Sequence, residues 1–127
     1  MKLTNNFALE EFASPDSNCF PISVINNLFD LAQNLELVRL RLGVAIHISS
    51  GWRTVSHNRK VGGASNSQHL YGRAADIWSN IYTPNEIHQI IENLIQAGAM
   101  QQGGLGLYNT FVHYDIRGTK ARWDETR

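Results

Sequence analysis

The ten-residue stretch from Ser67 to Asp76 constrains this chain more than any other part of it. It holds a histidine, His69, and a carboxylate, Asp76, separated by six residues that include one glycine and two alanines. Small residues allow the backbone to run close to another segment, so both side chains can point to one place. An imidazole and a carboxylate are two ligands of a zinc site, and catalytic zinc usually takes three protein ligands. The stretch therefore predicts part of a metal site whose third ligand lies elsewhere.

The segment 111–116 is the best source of that third ligand. Its residues alternate as in a β-strand, which places His113 and Asp115 on one face. We therefore predict a mononuclear site formed by His69, Asp76 and His113. Two imidazoles and a carboxylate favour Zn²⁺, although cobalt, manganese and iron accept the same ligands.

Length and charge limit the classes to which the chain can belong. Its 127 residues suffice for one domain, which we take to span residues 1–127. The 11 Lys and Arg residues balance the 11 Asp and Glu residues, and no basic run is present, so we expect no nucleic-acid partner. Cys19 is the single cysteine, so no disulfide can form within the chain.

The N-terminal residues and the hydropathy predict a protein made in the cytoplasm. Residues 1–6 lack the apolar core of a signal peptide, and no apolar run approaches the roughly 18 residues of a membrane span. We therefore expect no membrane insertion. Because no exposed apolar stripe is left over, we also expect a monomer.

Two helices are well signalled. The first begins after Pro21 and ends at Gly43, and its apolar residues have the three-and-four spacing of one buried face. The second begins at Thr83, which suits the N-cap, with Pro84 at the first helical position and Glu86 completing a capping box.

The remaining pattern predicts strands and short helical turns. Strands are expected at 44–51, up to Trp78 and around His113, and helical turns at 7–12 and 55–60. This order predicts an α+β fold in which a small antiparallel sheet packs against a long helix. The helix would cover one face of the sheet, and the zinc site would lie on the other, open face.

Three sequence elements together resemble a known family of zinc peptidases. They are Ser-Ser-Gly-Trp-Arg at 49–53 with Asn58 and the glycine loop 61–64, Ser-x-His-(six residues)-Asp at 67–76, and Val-His-Tyr-Asp at 112–115. Over nearly its whole length the chain is similar to D-alanyl-D-alanine carboxypeptidases and L-alanyl-D-glutamate endopeptidases. That group includes VanX-like dipeptidases and shares its metal-binding fold with the hedgehog signalling domain. The chain resembles its small single-domain branch, which is common in phages and prophages.

The resemblance implies the same three zinc ligands and adds residues that bind the substrate. Arg53 would contact the substrate near the scissile carbonyl or at its carboxylate, and would thereby assist catalysis. Ser67 and Gln68, just before the first ligand, would face the substrate. In better-known members an acidic residue three positions before the final histidine is the general base, but here that position is Thr110.

A carboxylate is still needed to take the proton of the zinc-activated water and pass it to the leaving amine. Asp115 is the nearest candidate, because it lies on the same strand face as His113. It can serve as this base or as a partner that orients His113, and both roles remain open. Asp124 and Glu125 in the tail are further candidates for the base.

These observations predict a zinc metallopeptidase that hydrolyses the peptide part of bacterial peptidoglycan. It would act as a carboxypeptidase on a terminal D-Ala-D-Ala or as an endopeptidase within the stem peptide. Lacking a signal peptide, it would reach the cell wall or periplasm after release, as a phage endolysin does, or be part of a virion. The alternatives are a zinc-containing cell-wall binding module without catalysis, which Thr110 permits, and a metal-free structural protein.

Overall fold

The computed structural model describes residues 1–127 and contains three α-helices, two 3-10 helices and five strands. The α-helices are α1 (Ile22–Leu42), α2 (Val55–Lys60) and α3 (Pro84–Gln96). The strands are β1 (His47–Ser50), β2 (Ala74–Trp78), β3 (Gly104–Leu107), β4 (Val112–Asp115) and β5 (Ala121–Asp124). The 3-10 helices are Leu9–Phe12 and Gln68–Tyr71.

The two long helices begin where the sequence predicts, and α1 also ends there. Pro21 is the N-cap of α1, and Gly43 ends it with a φ of 71°, in the left-handed region that glycine adopts without strain. At the start of α3 the Thr83 hydroxyl accepts the Glu86 N–H, and the Glu86 carboxylate accepts the Thr83 N–H. This reciprocal pair confirms the predicted capping box.

The five strands form one mixed sheet in the order β1-β2-β4-β3-β5. Three pairings are antiparallel, but β3 and β5 run parallel. The prediction of a wholly antiparallel sheet is therefore wrong. After β4 the chain reverses direction near Gly118. Strand β5 therefore runs opposite to β4 and in the same direction as β3.

A side chain on β5 ties this edge strand to the helical layer. The Arg122 guanidinium pairs with both carboxylate oxygens of Glu92 on α3, at 2.8 and 2.9 Å, and also donates to the Gly103 carbonyl at 2.7 Å. Apart from Ala121 and Trp123, the segment 118–127 is polar. The polar character of this segment explains why no strand is predicted there.

The central strands separate an apolar face from a polar one. Ala75 and Ile77 on β2 and Val112 and Tyr114 on β4 belong to the hydrophobic core, which also includes residues of α1 and α3. The intervening residues point the other way because side chains alternate along a strand. Register pairs Asp76 with His113 and Ala74 with Asp115. None of the helices has both the length and the apolar character needed to cross a membrane.

Candidate metal centre

Three buried side chains meet above the polar face of the sheet. His69 lies in the second 3-10 helix, Asp76 on β2 and His113 on β4, and they are 3%, 5% and 7% exposed. One ligand atom from each lies within 4.8 Å of the others. The two strand residues are neighbours across the β2–β4 pairing, so the sheet register sets their separation. The structure thus brings together the three residues that the sequence nominates as ligands.

The segment before α2 fixes the orientation of His69. The His69 Nδ1–H donates to the Gly51 carbonyl at 2.7 Å, and the Arg53 backbone N–H donates to the His69 carbonyl at 3.0 Å. Gly51 lies so close to the Phe12 backbone that a Cβ there would be only 2.7 Å from the Phe12 Cα. The Nε2 atom of His69 is left facing Asp76 Oδ1, at 3.3 Å.

His113 is oriented by a different partner and through the other ring nitrogen. Its Nε2–H donates to Asp115 Oδ2 at 2.7 Å, while Nδ1 lies 3.1 Å from Asp76 Oδ1. A histidine that binds a metal usually directs its other ring nitrogen to a carboxylate or a carbonyl. His113 and His69 both follow this pattern, the first through Asp115 and the second through Gly51.

Asp115 is fully buried and its carboxylate is fully occupied by protein donors. Besides His113, it accepts the Gly104 N–H at 2.9 Å and two hydrogen bonds from the Arg117 guanidinium, at 2.9 and 2.8 Å. A Cβ at Gly104 would collide with this carboxylate, and one at Gly103 would collide with the Asp115 carbonyl. The two glycines of the sequence therefore make room for a buried charge.

Charge pairing determines the protonation of the centre. Burial alone would raise the pKa of Asp76, but hydrogen bonds from His113 and His69 outweigh it and hold the pKa below its usual range. Burial likewise acts to raise the pKa of Asp115, yet the hydrogen bonds from His113 and Arg117 lower it. Burial would lower the pKa of His113, but its bonds to Asp115 and Asp76 raise it. Both carboxylates are therefore ionised at neutral pH.

A cavity of about 480 Å³ opens onto the three residues. Arg53, Ser67 and Gln68, the three residues predicted to bind the substrate, line this cavity. Asp76 is the only acidic residue in its lining. Asp115, Thr110, Asp124 and Glu125 are absent from the lining.

Two of the three predicted substrate residues, Arg53 and Ser67, also make side-chain hydrogen bonds within the protein. Arg53 donates to Ser50 Oγ at 3.1 Å and Asn58 Oδ1 at 3.3 Å, and its Nη2 lies 3.5 Å from Asp76 Oδ2. The Ser67 hydroxyl accepts the His69 N–H at 3.2 Å.

Gln68, a residue of the cavity lining, carries a side-chain acceptor that has no protein partner. The Gln68 Oε1 atom is buried and makes no hydrogen bond within the protein. A buried polar atom without a partner is uncommon in folded proteins.

Of the residues that complete the cavity wall, sequence reasoning missed Arg117. Arg117, Tyr108 and Trp123 line the cavity, and Arg117 also braces Asp115. Arg117 lies only two residues beyond Asp115. This short spacing between a cation and a carboxylate is the sequence signal that could have identified Arg117. Trp123 reaches the cavity on β5, a strand that the sequence did not predict.

Comparison with known proteins assigns the chain to a family. A model of the family described as Peptidase M15 matches residues 5–115, which include all three candidate ligands. The chain belongs to the Peptidase M15 family. The match ends at Asp115, so Arg117 and Trp123 lie beyond the matched residues.

One curated relative of this M15 chain is a zinc D-Ala-D-Ala carboxypeptidase from Streptomyces albus G, with 56% identity over 32 residues. That match covers 25% of this chain and 12% of the relative, so the chain aligns with only a small part of that protein. Family membership, this zinc-named relative and the buried His-Asp-His cluster confirm the prediction of a zinc cofactor. Two imidazoles and one carboxylate are a donor set that catalytic zinc sites use.

Proposed function

We propose that this chain is a zinc metallopeptidase that hydrolyses the peptide part of bacterial peptidoglycan. The observation that carries the proposal is the buried cluster of His69, Asp76 and His113 at the floor of a cavity lined by Arg53. Zinc would lie over the face of the sheet opposite the core. The reaction would be either D,D-carboxypeptidase cleavage of a terminal D-Ala-D-Ala or endopeptidase cleavage within the stem peptide.

The ligand atoms follow from the hydrogen bonds of the two imidazoles. The Nδ1–H of His69 and the Nε2–H of His113 are both used on protein acceptors, so His69 Nε2 and His113 Nδ1 remain for the metal. Both of these atoms face Asp76 Oδ1. When bound at such a site, zinc acidifies a water molecule and polarises a carbonyl group.

Arg53 would position the substrate. Its guanidinium is held by Ser50, Asn58 and Asp76, so its direction is set before a substrate arrives. A guanidinium has five N–H donors, and a carboxylate or a carbonyl oxygen can accept those that the protein leaves free. The same contacts keep the charge of Asp76 partly balanced at the edge of the cavity.

Asp115 would act by orienting His113 and not as the general base. Its carboxylate accepts hydrogen bonds from His113, Arg117 and Gly104, and Asp115 does not line the cavity. Removing a proton from water requires a basic atom within hydrogen-bond reach of that water. A buried carboxylate that already accepts four or more hydrogen bonds is poorly suited to that task.

The lack of a general base in the cavity lining favours a second candidate function, a zinc-containing cell-wall binding module without catalysis. No carboxylate other than Asp76 lines the cavity, and Thr110 stands where better-known relatives carry the acidic base. Such a module would keep the metal cluster and the cavity for binding a stem peptide.

For either function we propose the bacterial cell wall or the periplasm as the place of action, because peptidoglycan is found there. A phage endolysin or a virion protein is one setting in which a small protein of this kind would meet that substrate. The partner in each case is the peptide of peptidoglycan, and we propose that the protein binds it as a monomer.

Digestion of purified peptidoglycan, read by mass spectrometry, separates the two functions. The wild-type protein, the chelated protein and the zinc-restored protein are compared with His69→Ala and with His88→Ala, a histidine outside the cavity. A defined fragment that is lost on chelation and in His69→Ala, but kept in His88→Ala, would support the peptidase and identify the bond. Stoichiometric zinc with no fragment would instead support the binding module.

A further inference from the structure

The hydroxyl group of Tyr108 stands at the cavity wall in a fixed orientation. Its ring stacks on Phe111, with the centroids 4.3 Å apart and the planes inclined by 15°. The indole N–H of Trp123 donates to the Tyr108 hydroxyl at 2.9 Å. All three residues line the same cavity as the candidate zinc ligands. Stacking holds the plane of the phenol, and the hydrogen bond holds the position of its oxygen.

Trp123 connects this hydroxyl to the metal centre. The Trp123 ring lies 4.9 Å from the His113 ring, between centroids, and the Arg117 guanidinium lies 5.6 Å from the Trp123 ring. The indole crosses Gly106, where a Cβ would collide with the indole nitrogen. Gly106 pairs with His113 across the β3–β4 register. The missing side chain of Gly106 thus lets the indole reach both the ligand histidine and Tyr108.

The direction of the Trp123 hydrogen bond leaves the Tyr108 proton free. An indole N–H is a donor only, so the Tyr108 oxygen must act as the acceptor. The hydroxyl proton of Tyr108 makes no hydrogen bond to another protein atom. By contrast, Tyr114 and Tyr82 donate their protons to the carbonyls of Gln101 and Leu42.

We propose that Tyr108 is a catalytic residue that donates a hydrogen bond to the substrate carbonyl oxygen as that oxygen gains negative charge. This inference rests on the proposed peptidase function. The hydroxyl keeps its proton throughout, so no bond to Tyr108 forms or breaks. A donor that is oriented before the reaction stabilises developing charge without reorganisation, and the loss of one such donor lowers kcat on the order of 100-fold.

Tyr108→Phe tests this role because it removes the hydroxyl and keeps the stacked ring. The matched control is Tyr82→Phe, which removes a hydroxyl that donates to Leu42 outside the cavity. We expect kcat to fall on the order of 100-fold in Tyr108→Phe, with KM changed less than about twofold. Zinc content should remain stoichiometric, and Tyr82→Phe should keep the wild-type kcat.

A binding measurement supplies a second readout. The probe is a phosphinic acid analogue, in which a phosphinate and a methylene replace the amide that the wild-type enzyme cleaves. Calorimetry should show that Tyr108→Phe binds this tetrahedral anion more weakly, by about the same factor as the fall in its kcat. Binding of the cleaved product should not change.

A second variant separates donation from positioning. Trp123→Phe keeps the Tyr108 hydroxyl and removes the group that aims it, so its kcat should fall by less than that of Tyr108→Phe. Unchanged kcat in Tyr108→Phe, a rise in KM alone, or a loss of zinc would each overturn the inference. If Tyr108→Phe has the same kcat as an active wild-type enzyme, this inference alone is overturned. If the zinc-loaded wild-type protein releases no fragment, the peptidase function is overturned with it.

Discussion

The two faces of the β2–β4 pair are built from alternate residues of the same two strands, yet one face is apolar and the other is polar and charged. Ile77 and Val112 on one face are fully buried among apolar side chains. Asp76, His113 and Asp115 on the other face are almost as deeply buried, but they are charged or polar and bound to one another. Burial on the first face stabilises the fold directly, whereas burial on the second costs free energy unless each group is paired.

This difference shows how a small domain can hold a metal site rigidly. The apolar face fixes the register of β2 against β4, and the register fixes the distance between Asp76 and His113. The polar face then needs only to orient the side chains, which Asp115 does for His113. Substitutions on the two faces should therefore separate stability from metal binding.

The largest expected effect comes from neighbouring residues of β4 that point to opposite faces. His113→Ala should abolish stoichiometric zinc binding and all activity, because it removes one of three ligands. Val112→Ala should instead lower the free energy of unfolding by roughly 2 kcal/mol and keep the zinc. Metal analysis after dialysis and urea denaturation measure the two effects. Equal loss of zinc in both variants would contradict the separation of the faces.

Asp115→Asn should weaken zinc binding by about 10- to 100-fold, because it removes the charge that orients His113. Competition with a chromogenic chelator measures this affinity. At saturating zinc the variant should recover most of its activity. A variant that keeps wild-type zinc affinity and remains inactive would make Asp115 the general base instead.

Zinc affinity should also depend on pH, with a sign that follows from His113. Its pKa in the metal-free protein is raised, because bonds to Asp115 and Asp76 outweigh the opposing effect of burial. Zinc must displace a proton from His113 below that raised pKa, so the affinity should fall by about tenfold for each pH unit of acidification there. In Asp115→Asn this dependence should move to lower pH. Equal profiles for the two proteins, from chelator competition across a pH series, would contradict it.

The smallest effect is expected on the apolar face. Tyr114→Phe removes a hydroxyl that donates to the Gln101 carbonyl at 2.7 Å. Its loss should cost about 1 kcal/mol of unfolding free energy, as for an ordinary hydrogen bond. Zinc affinity should not change, since the hydroxyl lies away from the cavity. A measurable drop in zinc affinity would show that the two faces are coupled.

The sequence predicted the features that depend on local patterns. The bounds of α1 follow from Pro21 and Gly43, and the start of α3 follows from the Thr83–Glu86 capping box; all of these act within a few residues. The meeting of His69, Asp76 and His113 followed from motif spacing and strand alternation, and the structure places them together.

What escaped prediction depends on pairing between distant parts of the chain. Strand β5 is held by Arg122 through Glu92 and Gly103, and neither partner is near it in sequence. The parallel pairing of β5 with β3 follows from a chain reversal after β4, which no local pattern reveals. The contact of Trp123 with Tyr108 depends on that strand, so it could not be predicted either.

The central claim is that one zinc ion binds His69, Asp76 and His113 on the polar face of the sheet. Crystals of the zinc-loaded protein, with diffraction recorded at the zinc absorption edge, test it most directly. The account predicts one anomalous peak bonded to His69 Nε2, His113 Nδ1 and an Asp76 oxygen, with His113 Nε2 still hydrogen-bonded to Asp115. A peak elsewhere, or zinc bound through His113 Nε2 with Asp115 displaced, would contradict it.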